Sequence, residues 1–159
     1  MTIDSLLDHG LERMTADAID DFLRAQHIGI LGLPDRPAPY MLPLAYGYDG
    51  KDRLFFTFYV EGSSRKVSRS EVADAASFLV YRADSVFIWE SVMLEGTIAE
   101  LPEAEWDAHD EDISNAWRLD LFEQAGSAGD IRIFTFNITD RSGVKYTELP
   151  PGFAGESDR

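Results

Sequence analysis

The stretch LFFTFYVEGSSRK, from Leu54 to Lys66, joins a run of aromatic residues to a short group of serines and cations. Because side chains alternate along an extended strand, Phe55, Thr57 and Tyr59 would share one face of it. The opposite face would carry only large apolar side chains, which is typical of a strand packed on a core. The stretch therefore predicts a strand whose end delivers hydroxyl and cationic groups to one place.

The basic group at the end of this stretch is exceptional in the sequence. The chain has 29 acidic and 14 basic residues, yet Arg65, Lys66 and Arg69 fall within five positions. Ser63 or Ser64 is suited to cap a helix that starts here. Serine hydroxyls, the free N–H groups of a helix start, an arginine fork and a lysine together favour a phosphate group. The alternative is a surface helix whose arginines pair with neighbouring aspartates.

A ligand with a flat ring and a phosphate tail would match an aromatic strand that ends in this basic group. Flavin mononucleotide, FMN, has that shape and is the leading candidate. The residues by themselves do not distinguish an enzyme from a protein that only holds the ligand.

Other motifs that carry chemistry are missing from the sequence. It has no nucleophile elbow, no phosphate loop, no dinucleotide fingerprint and no cysteine. The three histidines are scattered along the chain. The acidic run from His109 to Asp112 would point its side chains in different directions on a helix, so it predicts a solvated face. No catalytic residue and no metal site are therefore predicted.

The overall charge limits the partners of the protein. The formal net charge is −15, and arginine outnumbers lysine by 11 to 3. Such a surface repels nucleic acid and anionic lipid, and it suits a salt-rich cytoplasm as in a halophilic source, although an ordinary acidic protein has the same composition. Without a signal-like start or an apolar run of ~20 residues, the chain is expected to be cytoplasmic. Its length predicts one domain over residues 1–150 and a loose tail over 151–159.

The remaining pattern alternates strands with short turns and helical segments. Thr15 is a plausible cap for a helix whose apolar residues recur at helical spacing, and Pro43 indicates an edge strand, a bulge or a backbone that faces a ligand. The predicted elements are a helix over 15–26, strands over 27–33, 40–48, 53–60, 75–82 and 86–101 with a bend at Gly96, a helix over 102–124, and a strand over 130–140. This order predicts a mainly β protein of the α+β class, an antiparallel barrel, closed or half-closed, with helices outside.

Four segments in this order resemble the pyridoxamine 5′-phosphate oxidase-like family of FMN-binding split barrels. They are a helix that leads into HIGILGL, the strand PYMLPLAYGY with its central proline, the stretch LFFTFYVEGSSRK, and WESVMLEGTIAEL. Together they span about residues 15–101, and the closing strand at 131–148 is also in a suitable place. The resemblance implies an antiparallel split β-barrel with flanking helices, an FMN cofactor, and a homodimer in which two chains share each flavin site.

The resemblance also implies a set of cofactor-binding residues. Arg65 and Lys66, together with Ser63 or Ser64, would bind the FMN phosphate. The residues beside the flavin ring would be Phe56, Thr57, Trp89 and Ser91, and the backbone of Met41, Leu42, Pro43, Leu44, Ala45 and Tyr46.

The named oxidase reaction itself is not implied. The strand YMLPLAY lacks the basic residues that the oxidases carry there, and the C-terminal PPGFAGESDR lacks their basic segment for the substrate phosphate. The resemblance to the wider family predicts an FMN-dependent oxidoreductase that acts on a small molecule. The alternatives are a flavin-binding or sensing protein without turnover, and a deazaflavin-dependent reductase, whose cofactor has a longer anionic tail.

Overall fold

A computed structural model describes residues 10–60, 65–115 and 131–148 of the 159-residue chain. The strands are β1 (Leu11–Arg13), β2 (Ile28–Leu33), β3 (Tyr40–Ala45), β4 (Gly47–Tyr48), β5 (Arg53–Tyr59), β6 (Ala76–Ser85), β7 (Ile88–Glu100) and β8 (Ile131–Tyr146). The helices are α1 (Ala16–Ala25), α2 (Arg65–Val72) and α3 (Asp110–Asn115), and 3₁₀ turns lie at Glu103–Glu105 and Asp107–His109. Across these ranges, no helix has the length and apolarity that a membrane span requires.

The strands form one antiparallel sheet of eight strands. Its order is β3-β2-β6-β7-β8-β5-β4, and β1 pairs with β8. β3 and β4 stand at opposite ends of this order, yet only Tyr46 separates them in the chain. The sheet must therefore curl until its two ends adjoin, which makes a split barrel. The predicted antiparallel barrel with flanking helices is confirmed.

Aromatic side chains fill the inside of the barrel. On β5, Leu54, Phe56 and Phe58 are fully buried in the main core, as the alternation of the strand predicts. The ring of Phe56 lies 5.1 Å from that of Phe78, and Phe58 lies 5.0 Å from Phe134. Because β5 buries this face, its other face is the one that points outward, towards the site discussed below.

Helix α1 is capped at its start and joined to the barrel by a polar contact near its middle. The Thr15 hydroxyl accepts the Ala18 N–H at 3.2 Å, which confirms the predicted cap. Near the middle of the helix, the Tyr48 hydroxyl donates to Asp20 at 2.7 Å. Hydrogen bonds from Arg24 and then Tyr48 hold the pKa of the Asp20 carboxyl below its ordinary value, so this carboxylate stays ionised and joins the helix to the β4–β5 hairpin.

The predicted helix over 102–124 is wrong in its first turns. The chain there forms two 3₁₀ turns, and an α-helix begins only at Asp110. The Trp106 indole N–H donates to the Leu101 carbonyl at 3.0 Å, and this side-chain contact fastens the first 3₁₀ turn to the end of β7. Residues 116–124 lie outside the described residues.

The remaining predictions about strands, the helix cap and the tail have different outcomes. β8 runs to Tyr146, beyond the end at residue 140 that its residue pattern predicts and close to the span 131–148 given with the resemblance, because β7 and β1 continue to pair with it. β1 was not predicted at all. The predicted bend at Gly96 is present as a bulge, where the pairing with β8 shifts register. The cap residues Ser63 and Ser64 and the tail 151–159 lie outside the described residues.

Candidate functional site

The outer face of β5 carries a hydroxyl group that the fold leaves unsatisfied. Thr57 pairs with Ile133 on β8 and points away from the barrel core. Its Oγ1 atom is buried, and no hydrogen-bond partner for it exists among the described residues. Next to it on the same face, Phe55 packs with Leu101 and Ile133 in a small second cluster. A buried hydroxyl with no partner costs free energy, so a polar ligand atom at this position would be stabilised.

Helix α2 begins at Arg65, a few residues after the end of β5. Arg65 and Lys66 therefore stand in its first turn, where backbone N–H groups are free to bind an anion. Val67 and Ser70 are buried and mark the face of the helix that packs on the barrel. The order of the two elements thus delivers a helix start to the end of the strand that carries Thr57.

Ion pairs hold the second half of α2 on two sides. Arg69 Nη2 lies 3.1 Å from the Asp35 carboxylate in the turn after β2. Glu71 pairs with Arg132 on β8, and Arg132 Nε also donates to Glu100 at 2.7 Å. The hydrogen bond from Arg132 lowers the pKa of the Glu100 carboxyl. For Arg69, the interpretation as an arginine paired with a neighbouring aspartate is therefore the correct one.

Strand β3 lies at one end of the sheet, as its proline requires. Pro43 pairs with Ile30 of β2, and its missing N–H falls on the edge that the next strand of the sheet order would occupy. The side chains of Met41 and Pro43 are exposed, Ala45 is half-buried, and Leu42 and Leu44 pack against the core. Along this strand, the outward side chains and the backbone edge are available to a ligand or to another chain.

Two of the predicted site residues have side chains turned into the protein. Phe56 is fully buried and contacts Phe78 and Phe136. Tyr46 is 2% exposed, and its hydroxyl donates to the Leu23 carbonyl at 2.7 Å. Only the backbone of these residues is therefore placed to contact a ligand outside the barrel.

Trp89 and Ser91 lie on the outer face of β7. The Trp89 ring stacks on Tyr146 with 6.3 Å between centroids and 17° between planes. Ser91 is paired with Tyr81 on one side and Val144 on the other. Both residues are half-buried in the chain as described.

One chain does not bring these two residues together with Thr57. On β8, Thr57 is paired with Ile133, whereas Ser91 is paired with Val144. At about 3.3 Å per residue, roughly 35 Å of strand separates the two pairings. A site that uses both Thr57 and Ser91 would need a second chain.

An apolar surface covers the outer face of β2, β3, β6 and β7. We call it the outer apolar face and define it by Ile28, Ile30, Met41, Pro43, Leu79, Tyr81 and Met93. Strand pairing sets Pro43, Ile30, Leu79 and Met93 in one row across the four strands. The exposed fractions of the prominent side chains are 64% for Ile28, 60% for Met41 and 40% for Met93. A contiguous exposed apolar surface marks an interaction site on an otherwise highly charged protein.

Asp35, Glu71 and Arg132 are site-region residues that sequence reasoning missed. Arg69 was noticed as part of the basic group, but its partner lies 34 positions earlier, and Arg132 lies 61 positions after Glu71. Charged residues are frequent in this sequence, so only the sheet topology could have identified these pairs. The unsatisfied state of Thr57 was equally invisible, because it depends on what covers the outer face of β5.

A model of the family described as pyridoxamine 5′-phosphate oxidase matches residues 15–144 of the chain. A search of curated proteins found no match. Among solved structures, the chain is similar to an FAD-binding protein from Mesorhizobium loti, with 22% identity and a TM-score of 0.68 over 87% of this chain and 98% of that one. It is also similar to a putative 5-nitroimidazole antibiotic resistance protein from Bacteroides thetaiotaomicron, with 17% identity and a TM-score of 0.67 over 86% and 89% of the two chains.

A third similar structure is an FAD-binding protein from Mycobacterium smegmatis, with 14% identity and a TM-score of 0.66. It covers 87% of this chain and 100% of the other. At these levels of identity, the structural similarities show a shared fold.

Proposed function

The chain belongs to the pyridoxamine 5′-phosphate oxidase family, and we propose that it binds FMN and acts as a flavin-dependent oxidoreductase on a small molecule. The observation that carries the proposal is the buried Thr57 hydroxyl, which has no partner in the parts of the chain that the structure describes. It lies on the strand that leads to the start of α2. A flavin nucleotide offers a polar ring edge and a phosphate, which are the two kinds of group that this strand and helix start could bind.

The phosphate of the cofactor would bind at the start of α2. Arg65 would supply a planar fork and Lys66 a point charge, and Ser63 or Ser64 a hydroxyl. The first N–H groups of the helix would add donors that α2 itself leaves free. These groups provide affinity and fix the orientation of the nucleotide. Bound flavin would supply the redox chemistry.

The ring of the cofactor would lie between the outer side of β5 and the edge of β3. Thr57 would hydrogen-bond to it through Oγ1, and Phe56 would contribute only its backbone. The backbone of Met41, Leu42, Pro43, Leu44, Ala45 and Tyr46 would line the ring edge. Because the proline leaves this edge without a donor, the strand can face a ligand instead of another strand.

A second copy of the chain would complete the site. We assign Trp89 and Ser91 at each site to the partner subunit, because one chain holds them far from Thr57 along β8. The outer apolar face supports a homodimer, since this surface would otherwise remain in water. The chain charge of −15 makes this apolar surface the natural place for two copies to meet.

FAD is the second candidate cofactor. Two of the similar structures are of proteins named as FAD-binding, and FAD contains the same ring and adjoining phosphate as FMN. The site would then also have to accept the adenylate half. A deazaflavin, or binding without turnover, is the other alternative to be distinguished by experiment.

The first experiment is a visible absorption titration of the purified protein with FMN, FAD and riboflavin in high salt. We expect a perturbed flavin band that saturates near one FMN per chain and survives washing. Riboflavin, which lacks the phosphate, should bind at least about tenfold more weakly, the worth of one charge-assisted hydrogen bond or more. Repeated reduction by a donor and reoxidation by an added acceptor, at rates well above those of free FMN with the same pair, would separate an enzyme from a binding protein. A protein that binds none of the three flavins would refute the proposal.

Replacing Thr57 by valine is expected to have opposite effects on the empty and the loaded protein. Valine keeps the shape but removes the unsatisfied hydroxyl, so the free energy of unfolding without flavin should stay the same or rise by about 1 kcal/mol. The affinity for FMN should fall about tenfold because a hydrogen bond to the cofactor is lost. Urea unfolding and flavin titration measure the two effects.

Thr57→Ser is the matched control, since it keeps a hydroxyl on the outer face of β5. It should bind FMN within about threefold of the original protein. If Thr57→Val destabilises the empty protein and leaves FMN affinity unchanged, the hydroxyl serves the fold and the assignment to the flavin is wrong.

A further inference from the structure

We propose that Asp35 is a positioning residue for the cofactor phosphate, which it serves by holding Arg69 and thereby fixing the first turn of α2. The proposal rests on the proposed flavin site and deepens it, because it names what sets the place of the phosphate-binding helix. Asp35 itself touches neither the cofactor nor the reacting atoms in this scheme. It acts through Arg69.

The Asp35 carboxylate is unusual in being both charged and covered. Its side chain is 3% exposed, whereas that of Arg69 is 41% exposed. Oδ1 lies 3.1 Å from Arg69 Nη2 and accepts the Arg36 N–H at 2.7 Å. A covered ion pair is geometrically demanding, and breaking it leaves a charge in a poorly hydrated place. Such a pair fixes the relative position of the two segments that it joins.

The ion pair joins the end of strand β2, which is held within the sheet, to the short helix α2. Asp35 follows β2, which is hydrogen-bonded on both sides by β3 and β6. Helix α2 has only 8 residues, a length at which a helix depends on tertiary contacts for its stability. The ion pair between Asp35 and Arg69 therefore restrains the position of α2 relative to the sheet.

The anchored residue lies one helical turn from the phosphate-binding residues. Arg69 is four positions after Arg65, which places it about one turn after the first residue of α2. On the other side, Glu71 is tied to Arg132, which Glu100 also binds. With its second turn held from two directions, the first turn of α2 cannot shift along or rotate about the helix axis without breaking an ion pair.

A purely electrostatic role for Asp35 predicts the opposite effect on binding. Removing a carboxylate from the neighbourhood of a phosphate would strengthen anion binding by Coulomb's law. It would also release the Arg69 guanidinium as one more cation. Loss of affinity on removal of this negative charge is therefore the signature of positioning.

The test compares Asp35→Asn with Asp84→Asn. Both variants lose one carboxylate, and Asp84 is an exposed residue paired with Arg82 on its own strand. Dissociation constants are measured for FMN and for riboflavin, with thermal unfolding as a check of the fold. We expect Asp35→Asn to weaken FMN binding about tenfold and riboflavin binding less than about twofold, because only the phosphate contacts become misaligned. Asp84→Asn should change neither constant by more than about twofold.

Several outcomes would overturn the proposal. Unchanged or tighter FMN binding by a folded Asp35→Asn variant excludes positioning. An equal loss for FMN and riboflavin shows a general structural role. If Asp35→Asn does not fold, Arg69→Lys replaces it; this variant keeps the charge but loses the planar fork, and it should weaken FMN about threefold while sparing riboflavin. If the unmodified protein binds neither flavin, the proposed function itself fails, and this inference fails with it.

Discussion

Changing Arg65 and Lys66 together to alanine is expected to lower the affinity for FMN at least about a hundredfold, so that the variant purifies without bound flavin. Each residue would lose a charge-assisted contact with the phosphate, worth about 1.5–3 kcal/mol, and each 1.4 kcal/mol is a factor of about ten. Riboflavin, without a phosphate, should be affected far less. Flavin titration monitored by absorbance or by quenching of flavin fluorescence measures both constants.

The fold should survive this double change. Alanine is the best helix former, and the buried residues Val67 and Ser70 that seat α2 are untouched. The ion pairs of Arg69 and Glu71 remain as well. Circular dichroism and thermal unfolding of the double variant should therefore match those of the original protein.

The other end of β5 offers a matched control. Lys51 lies in the β4–β5 turn and Arg53 begins β5, so Lys51→Ala with Arg53→Ala also removes one lysine and one arginine, but at the end of β5 far from α2. If FMN affinity depended on net charge alone, both double variants would lose it equally. Full flavin content in the Arg65 and Lys66 double variant would show that the phosphate binds elsewhere.

The elements that the sequence predicts well are those decided by neighbours in the chain. The cap of α1 depends on Thr15 and on the spacing of Ile19, Phe22 and Leu23, all within one short segment. β5 is recognisable from its run of aromatic residues, in which Leu54, Phe56 and Phe58 face the main core. In both cases, local periodicity and burial agree, which is the condition under which pattern reading succeeds.

The elements that the sequence predicts badly depend on distant partners. β1 exists because Leu11 pairs with Tyr146 at the far end of the chain. β8 extends beyond the end that its residue pattern predicts, because β7 continues to pair with it. The segment after Pro102 has helical spacing, but its first residues form 3₁₀ turns, and the Trp106 contact with Leu101 holds them at the end of β7.

The candidate site likewise has a part that the sequence predicts and a part that it does not. The stretch from Leu54 to Lys66 shows by itself that a strand with Thr57 leads to Arg65 and Lys66. The separation of Thr57 from Ser91 is a property of register on β8, so the sequence alone could not show that one chain keeps these two residues apart. Two ion pairs hold α2, Arg69 with Asp35 and Glu71 with Arg132. They likewise can be recognised only when the sheet order is known.

Placing a charge on the outer apolar face is expected to split the proposed dimer and to release the flavin. In Met93→Glu, a carboxylate would have to be buried between the apolar faces of the two subunits. Each chain already carries a net charge of −15, which increases the repulsion. We expect the dissociation constant of the dimer to rise at least about a hundredfold, corresponding to about 3 kcal/mol. Sedimentation velocity over a range of protein concentrations measures it.

Ala108→Glu is the matched control for this variant. It adds the same charge at an exposed position of the second 3₁₀ turn, away from the outer apolar face. It should remain dimeric and keep its flavin. A Met93→Glu variant that stays dimeric with full flavin content would place the interface elsewhere, and a monomer with full flavin content would show that one chain holds the complete site.

Mixing two defective variants tests whether each site is shared. One variant carries Arg65→Ala and Lys66→Ala, and the other carries Trp89→Ala with its phosphate-binding residues intact. If the partner subunit supplies Trp89, each mixed dimer combines an undamaged helix start with an undamaged Trp89 at one of its two sites. Random exchange makes half of the dimers mixed, so about one quarter of all sites should regain FMN affinity. If both residues served one site from the same chain, no site in the mixture would be whole, and mixing would restore nothing.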